Sequence, residues 1–179
     1  MHDKSENEKV GQAAREFVNI AIEELSDERG VHAETVIAGV ARMAGTFLFR
    51  SFGFQLKDAK PGQAVLSEQA NEQGPRLVNI AATVLTDAGV ELDPNSVSDD
   101  STKGHEPLFD FLITQQRLEP KFDNVRNKLG LSLPQAADAG ALASAMLIHQ
   151  TSQVLDSNVA FEIAVYSFIE GSKTIPAYV

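Results

Sequence analysis

Apolar residues recur along most of this chain at intervals of three and four, the spacing that lines one face of an α-helix. No segment alternates over more than a few residues, as a half-buried strand would. Ser5 and Glu8 have the spacing of a capping box, in which the serine oxygen accepts a free backbone N–H and the glutamate reaches back to the cap, so a helix is predicted to start there. It would bury Val10, Ala14, Phe17, Val18, Ala21 and Leu25, and Gly30 is placed to end it in the left-handed conformation. A second helix is predicted from Ala33 to Phe52. It is apolar around most of its circumference, which suits an element enclosed by others, and it is the expected centre of the fold.

After a connection over residues 53–66, a short helix is expected to end near Gly74, with a third main helix opening at Pro75, whose missing N–H would be unbonded in a first turn, and closing near Gly89. Residues 91–105 form a polar loop rich in turn formers, and 94–104, with few apolar anchors, is expected to be the most mobile internal segment. Pro107 is expected to open a helix through about Leu118. Pro120 would kink it or start another that ends at Gly130. Ser132 and Gln135 repeat the capping-box spacing ahead of a long helix through Leu155. A last helix, with Phe161, Ala164, Val165 and Phe168 on one face, would stop at Gly171. The predicted architecture is all-α: one domain over residues 1–179, with about six helices packed around the element at 33–52.

One internal echo is visible. Val18-Asn19-Ile20-Ala21 and Leu25-Ser26-Asp27 return 60 residues later as Val78-Asn79-Ile80-Ala81 and Leu85-Thr86-Asp87. Asn19 and Asn79 are accordingly expected in equivalent, partly buried places, each with a hydrogen-bond partner.

Composition narrows the function classes. There is no cysteine, so disulfides, thiolate metal sites and thiol nucleophiles are excluded, and a cytoplasmic location is expected. The formal net charge of -10 opposes nucleic-acid binding, which relies on Lys and Arg clusters, and would favour a basic protein as partner. The most apolar stretch, Val36 to Phe54, contains Arg42 and Arg50, and no membrane helix is expected.

Candidate chemistry is sparse. None of His2, His32, His105 and His149 has a second histidine three or four residues away; His105-Glu106 with Asp110 would gather mixed ligands at a helix start, where Glu106 is equally explained by the helix dipole. Asp93, Asn95 and Asp99 imitate a calcium loop that fails at its glycine and glutamate places, Ser98 and Gly104. No metal, cofactor or catalytic constellation is assigned. Arg42, Thr46 and Arg50, four apart, form one polar stripe on the apolar second helix, and two guanidinium forks there would hold an anionic ligand, with His149, expected to be enclosed, adding a polar contact. The alternative is that the arginines pair with carboxylates of this chain, for Arg42 with Glu23, Glu24, Asp138 or Glu162. Small residues at Ala38, Ala41 and Gly45, and at Ala136, Ala137, Gly140, Ala141, Ala143, Ser144 and Ala145, mark close helix packing, internal or across a homodimer. Three functional readings follow: a non-catalytic interaction or regulatory protein, a small-molecule binder with an anion pocket between helices, and an enzyme whose groups lie far apart in sequence.

Overall fold

The computed structural model describes residues 5–96 and 101–178. Six helices run through them: α1 (Glu6–Leu25), α2 (Ala33–Ser51), α3 (Glu68–Asp87), α4 (Phe111–Leu129), α5 (Leu133–Gln150) and α6 (Ser157–Ser172). The described residues contain no strand, only two isolated bridges, Asp27 with Gly30 and Ala64 with Thr174. The expected all-α architecture is the one the chain adopts, and α2 is its axis. Every residue of α2 from Thr35 to Phe49 is buried, and α2 packs against all five other helices. No single helix among the described residues is long and apolar enough to cross a membrane.

Local chemistry sets the helix ends. Both capping boxes form: Ser5 accepts from the Glu8 N–H while its own N–H donates to the Glu8 carboxylate, and Ser132 and Gln135 do the same. Ser67, Asp110 and Asp156 cap α3, α4 and α6 with side-chain oxygens. Several boundaries differ from the sequence expectation. Helix α1 stops at Leu25, and Gly30, with φ of 104°, closes a tight turn back to Asp27 instead of capping the helix. Helix α3 runs unbroken through Gly74 and Pro75. The residue before a proline normally leaves the α region because its Cβ meets the ring, and Gly74 has no Cβ. Helix α4 begins at Phe111, not Pro107, because the Asp110 carboxylate accepts from the Ile113 N–H at 2.8 Å. Helix α5 ends at Gln150 rather than Leu155, its last turn closed by Thr151 Oγ1 donating to the Leu147 carbonyl at 2.8 Å. The expected mobility of 94–104 and the candidates His2 and Asp99 fall wholly or partly outside the described residues.

The close approaches around α2 are made by small residues. A methyl group on Gly45 would lie 2.5 Å from the Phe168 carbonyl oxygen, and one on Gly140 would lie 2.7 Å from the Ala44 Cβ. Ala38, Ala41, Ala136, Ala137, Ala141, Ala143 and Ala145 are all fully buried, so the small-residue faces are internal packing rather than a seam open to a second copy. Phe17 of α1 stacks on Phe122 of α4 with centroids 4.1 Å apart. The internal echo corresponds to shared packing, since α1 and α3 both rest on α5 and bury Phe17, Ala21 and Leu25 or Leu77, Ala81 and Leu85. Asn19 and Asn79, expected to be partly buried, are exposed in both copies, because the inward face is taken by those apolar neighbours. At the carboxyl end, residues 173–175 pair with 62–65 through Gly62 N–H to the Ile175 carbonyl (2.8 Å), Ile175 N–H to the Gln63 carbonyl (2.9 Å) and Val65 N–H to the Lys173 carbonyl (2.7 Å).

Candidate functional site

The polar stripe of α2 faces a polar stripe of α4. Arg42 donates from Nη1 to the Phe109 carbonyl (2.8 Å) and to Thr114 Oγ1 (3.1 Å), and from Nε to Glu170 of α6 (2.6 Å). Thr46 Oγ1, one turn on, accepts from Gln115 Nε2 at 2.5 Å. Arg50 donates from Nε to Glu119 and from Nη2 to the Tyr178 carbonyl, both at 2.5 Å. The two arginines therefore do not converge as one anion fork. They leave α2 at either end of a buried Thr46–Gln115 bridge, each with its own carboxylate, so the structure does not bring Arg42, Thr46 and Arg50 together on one group. The internal pairing of Arg42 is as expected, but its partner is Glu170. Of the carboxylates named for that role, Glu24 pairs with Lys121, Asp138 with Arg76, and Glu162 accepts from Ser101. His149, expected to be enclosed, is exposed on the final turn of α5, where Leu147 and Ile148 take the inward face.

Beside Arg42 lies an open cleft of about 530 Å³ between α2, α6 and residues 102–107. Its floor is formed by Arg42, Ile163 and Ser167, which are 8%, 5% and 5% exposed. Its rim carries Lys103, His105, Glu106, Tyr166 and Glu170. Two floor groups have no hydrogen-bond partner among the described residues: Arg42 uses Nε and Nη1 but not Nη2, and Ser167 Oγ makes no bond, although helical serines elsewhere in the chain bond back to a carbonyl. Neither atom is sealed from solvent, so the lining of the cleft presents two open donors to whatever enters it.

The segment that forms one wall is anchored from three sides. His105 Nδ1 lies 3.0 Å from Glu34 Oε1, and Glu34 also lies 3.4 Å from His32 Nε2. Burial pushes the Glu34 carboxyl up, but the His105 hydrogen bond, its own backbone N–H and the nearby histidines outweigh it and hold the carboxyl below its ordinary value. The Leu108 N–H donates to Thr35 Oγ1 at 2.8 Å, and Ser101 Oγ donates to Glu162, which is 1% exposed and keeps its other oxygen unpartnered. Glu106 accepts from its own and the Gly104 backbone N–H, and its carboxyl is held below the ordinary value by those bonds. Asp110 is turned away from this cluster as the α4 cap, so His105, Glu106 and Asp110 do not form the mixed ligand set that their spacing allowed. No group of three metal-ligating side chains occurs among the described residues.

At the other end of the stripe, Arg50, Glu119, Asp123, Arg126 and Tyr178 line a second hollow of about 520 Å³. Burial pushes the Glu119 carboxyl up against the opposing pull of Arg50, and one of its oxygens is unpartnered. The partners of α2 on α4 are Thr114, Gln115 and Glu119, polar positions to which the sequence reading assigned no role. Ser167 and Glu170 carried no signal of their own. Compared with family models, with curated proteins and with solved structures, the chain matches none of them.

Proposed function

We propose that this chain is a non-catalytic small-molecule binder whose ligand sits in the cleft between α2, α6 and residues 102–107. One observation carries the reading: Arg42 Nη2 and Ser167 Oγ, solvent-reached atoms of two buried residues, both lack a hydrogen-bond partner among the described residues and both belong to the lining of a cleft of ligand size. Ile163, on the same lining, supplies the apolar surface such sites use. The positive charge of Arg42 is already balanced by Glu170, so the site recognises through hydrogen bonds and shape rather than by attracting a bare anion.

The test is a fragment screen by thermal denaturation, with hits located by NMR on the methyl groups of Ile163. A ligand that binds only the folded state raises the midpoint by mass action. Hits that shift the Ile163 methyls support the reading. Hits that leave Ile163 unmoved and shift only the Arg50–Tyr178 hollow place the binding function at the other end of α2 and overturn it.

A further inference from the structure

The cleft is bipolar. Its floor presents the donors Arg42 Nη2 and Ser167 Oγ, and its rim presents the carboxylates Glu170 and Glu106. Glu170 contacts Arg42 through Oε2 alone, and its other oxygen makes no hydrogen bond to a described residue. Arg42 and Lys103 on the lining are matched in number by Glu106 and Glu170, so the site is close to neutral as it stands. A dianion seated on Arg42 would face two carboxylates, and a simple cation at the rim would leave the guanidinium edge and the serine hydroxyl without an acceptor. The first mismatch sets like charges against each other, and the second leaves the floor donors without a charged acceptor.

We propose that the ligand is a small zwitterion, an aminocarboxylate with a short apolar body: its carboxylate accepts from Arg42 Nη2 and Ser167 Oγ, its carbon chain lies on Ile163, and its ammonium donates to Glu170 and Glu106. This rests on the reading of the cleft as a ligand site. Carboxylate recognition through one guanidinium edge and a hydroxyl supplies charge-assisted hydrogen bonds, and the rim acids give selectivity by penalising any ligand that lacks the amine.

Calorimetric titration of the full chain with α- and ω-aminocarboxylates, the matching monocarboxylates, the matching amines and inorganic phosphate tests it, with Ile163 methyl shifts reporting where each probe binds. An aminocarboxylate is expected to bind at least about tenfold more tightly than its deaminated analogue, the consequence of one charge-assisted hydrogen bond. Ser167→Ala is expected to weaken it by about tenfold on the same grounds. Glu170→Gln is expected to reverse the preference, weakening the aminocarboxylate and strengthening the plain carboxylate, which a merely structural role for Glu170 would not produce. Ser167→Ala leaves the Arg42–Glu170 pair intact and keeps the test readable if Glu170→Gln folds poorly.

If carboxylates, amines or phosphate shift Ile163 as strongly as any aminocarboxylate, the zwitterion assignment is wrong while the cleft remains a binding site. If no aminocarboxylate shifts Ile163 and fragment hits do, the assignment is again overturned alone. If neither aminocarboxylates nor fragments reach Ile163, the cleft reading falls with it.

Discussion

Gly171 packs against the backbone carbonyl of Arg42 so closely that a methyl group at Gly171 would lie 2.1 Å from that oxygen and 2.9 Å from the α-carbon of Gly45. The contact draws α6 onto α2, and it is the neighbouring residue, Glu170, that reaches the Arg42 guanidinium. Fold and cleft therefore depend on the same crossing. Gly171→Ala is expected to destabilise the chain by about 3 kcal/mol, because the added carbon meets backbone that cannot step aside. Gly11→Ala is the control: its added methyl would meet only the end of Arg15 at 3.7 Å, and removing a helical glycine should stabilise by about 0.5 to 1 kcal/mol. Urea unfolding of the two variants checks both signs, and equal effects would show that the α2–α6 crossing can relax.

The periodicity made the helices and the central place of α2 legible, since apolar spacing and serine caps act within a few residues of each other. It also showed that Arg42, in so apolar a helix, needed a carboxylate. It could not say which, because Glu170 lies 128 residues away and only the Gly45–Gly171 crossing brings it within reach. His149 misled because the inward turn of a helix end depends on where the helix stops, and α5 stops five residues sooner than its apolar run suggests. Pro75 misled because Gly74 removes the clash that makes proline a boundary.

Pro120 has no N–H with which to bond the carbonyl four residues earlier, that of Gln116, and Tyr178 supplies a substitute, its hydroxyl donating to that oxygen at 3.3 Å. Tyr178→Phe is expected to cost about 0.5 kcal/mol. In a Pro120→Ala background the backbone N–H is restored and the hydroxyl becomes redundant, so the same substitution should be nearly neutral. A double-mutant cycle by chemical denaturation measures the difference. Additive effects would mean that the tail is held by the Arg50 contact alone.

Thr46 and Gln115 form a fully buried bridge with a defect, for Gln115 Oε1 has no partner. Thr46→Val leaves the amide nitrogen without its acceptor as well, and is expected to cost about 1 to 3 kcal/mol. Adding Gln115→Met to that variant removes every unpaired polar atom at similar volume and should restore stability to the original level or above it. Failure of the second change to recover the first would show that Gln115 makes a contact, by way of water, that its substitution destroys.

Glu119 provides the pH signature. Burial pushes its carboxyl above the ordinary 4.5, with Arg50 opposing and Asp123 adding to the rise. The folded chain thus holds this proton more tightly than the unfolded chain does. The resulting stabilisation is fully present below the unfolded value of 4.5 and is lost as pH rises through the higher folded value. Asp138, raised from 3.8 by burial beside Arg76, contributes with the same sign. Glu34, whose carboxyl is lowered, contributes with the opposite one: its stabilisation is present above 4.5 and is lost as pH falls through the folded value. Glu119→Gln stays neutral throughout. Its stability relative to the unsubstituted chain should therefore rise between about pH 4 and about pH 7, by an amount set by the Glu119 shift alone. Urea titrations of both proteins across that interval give the difference directly. A constant difference would mean that Arg50 fully compensates burial, and a falling one that the pair is stabilised in its charged form.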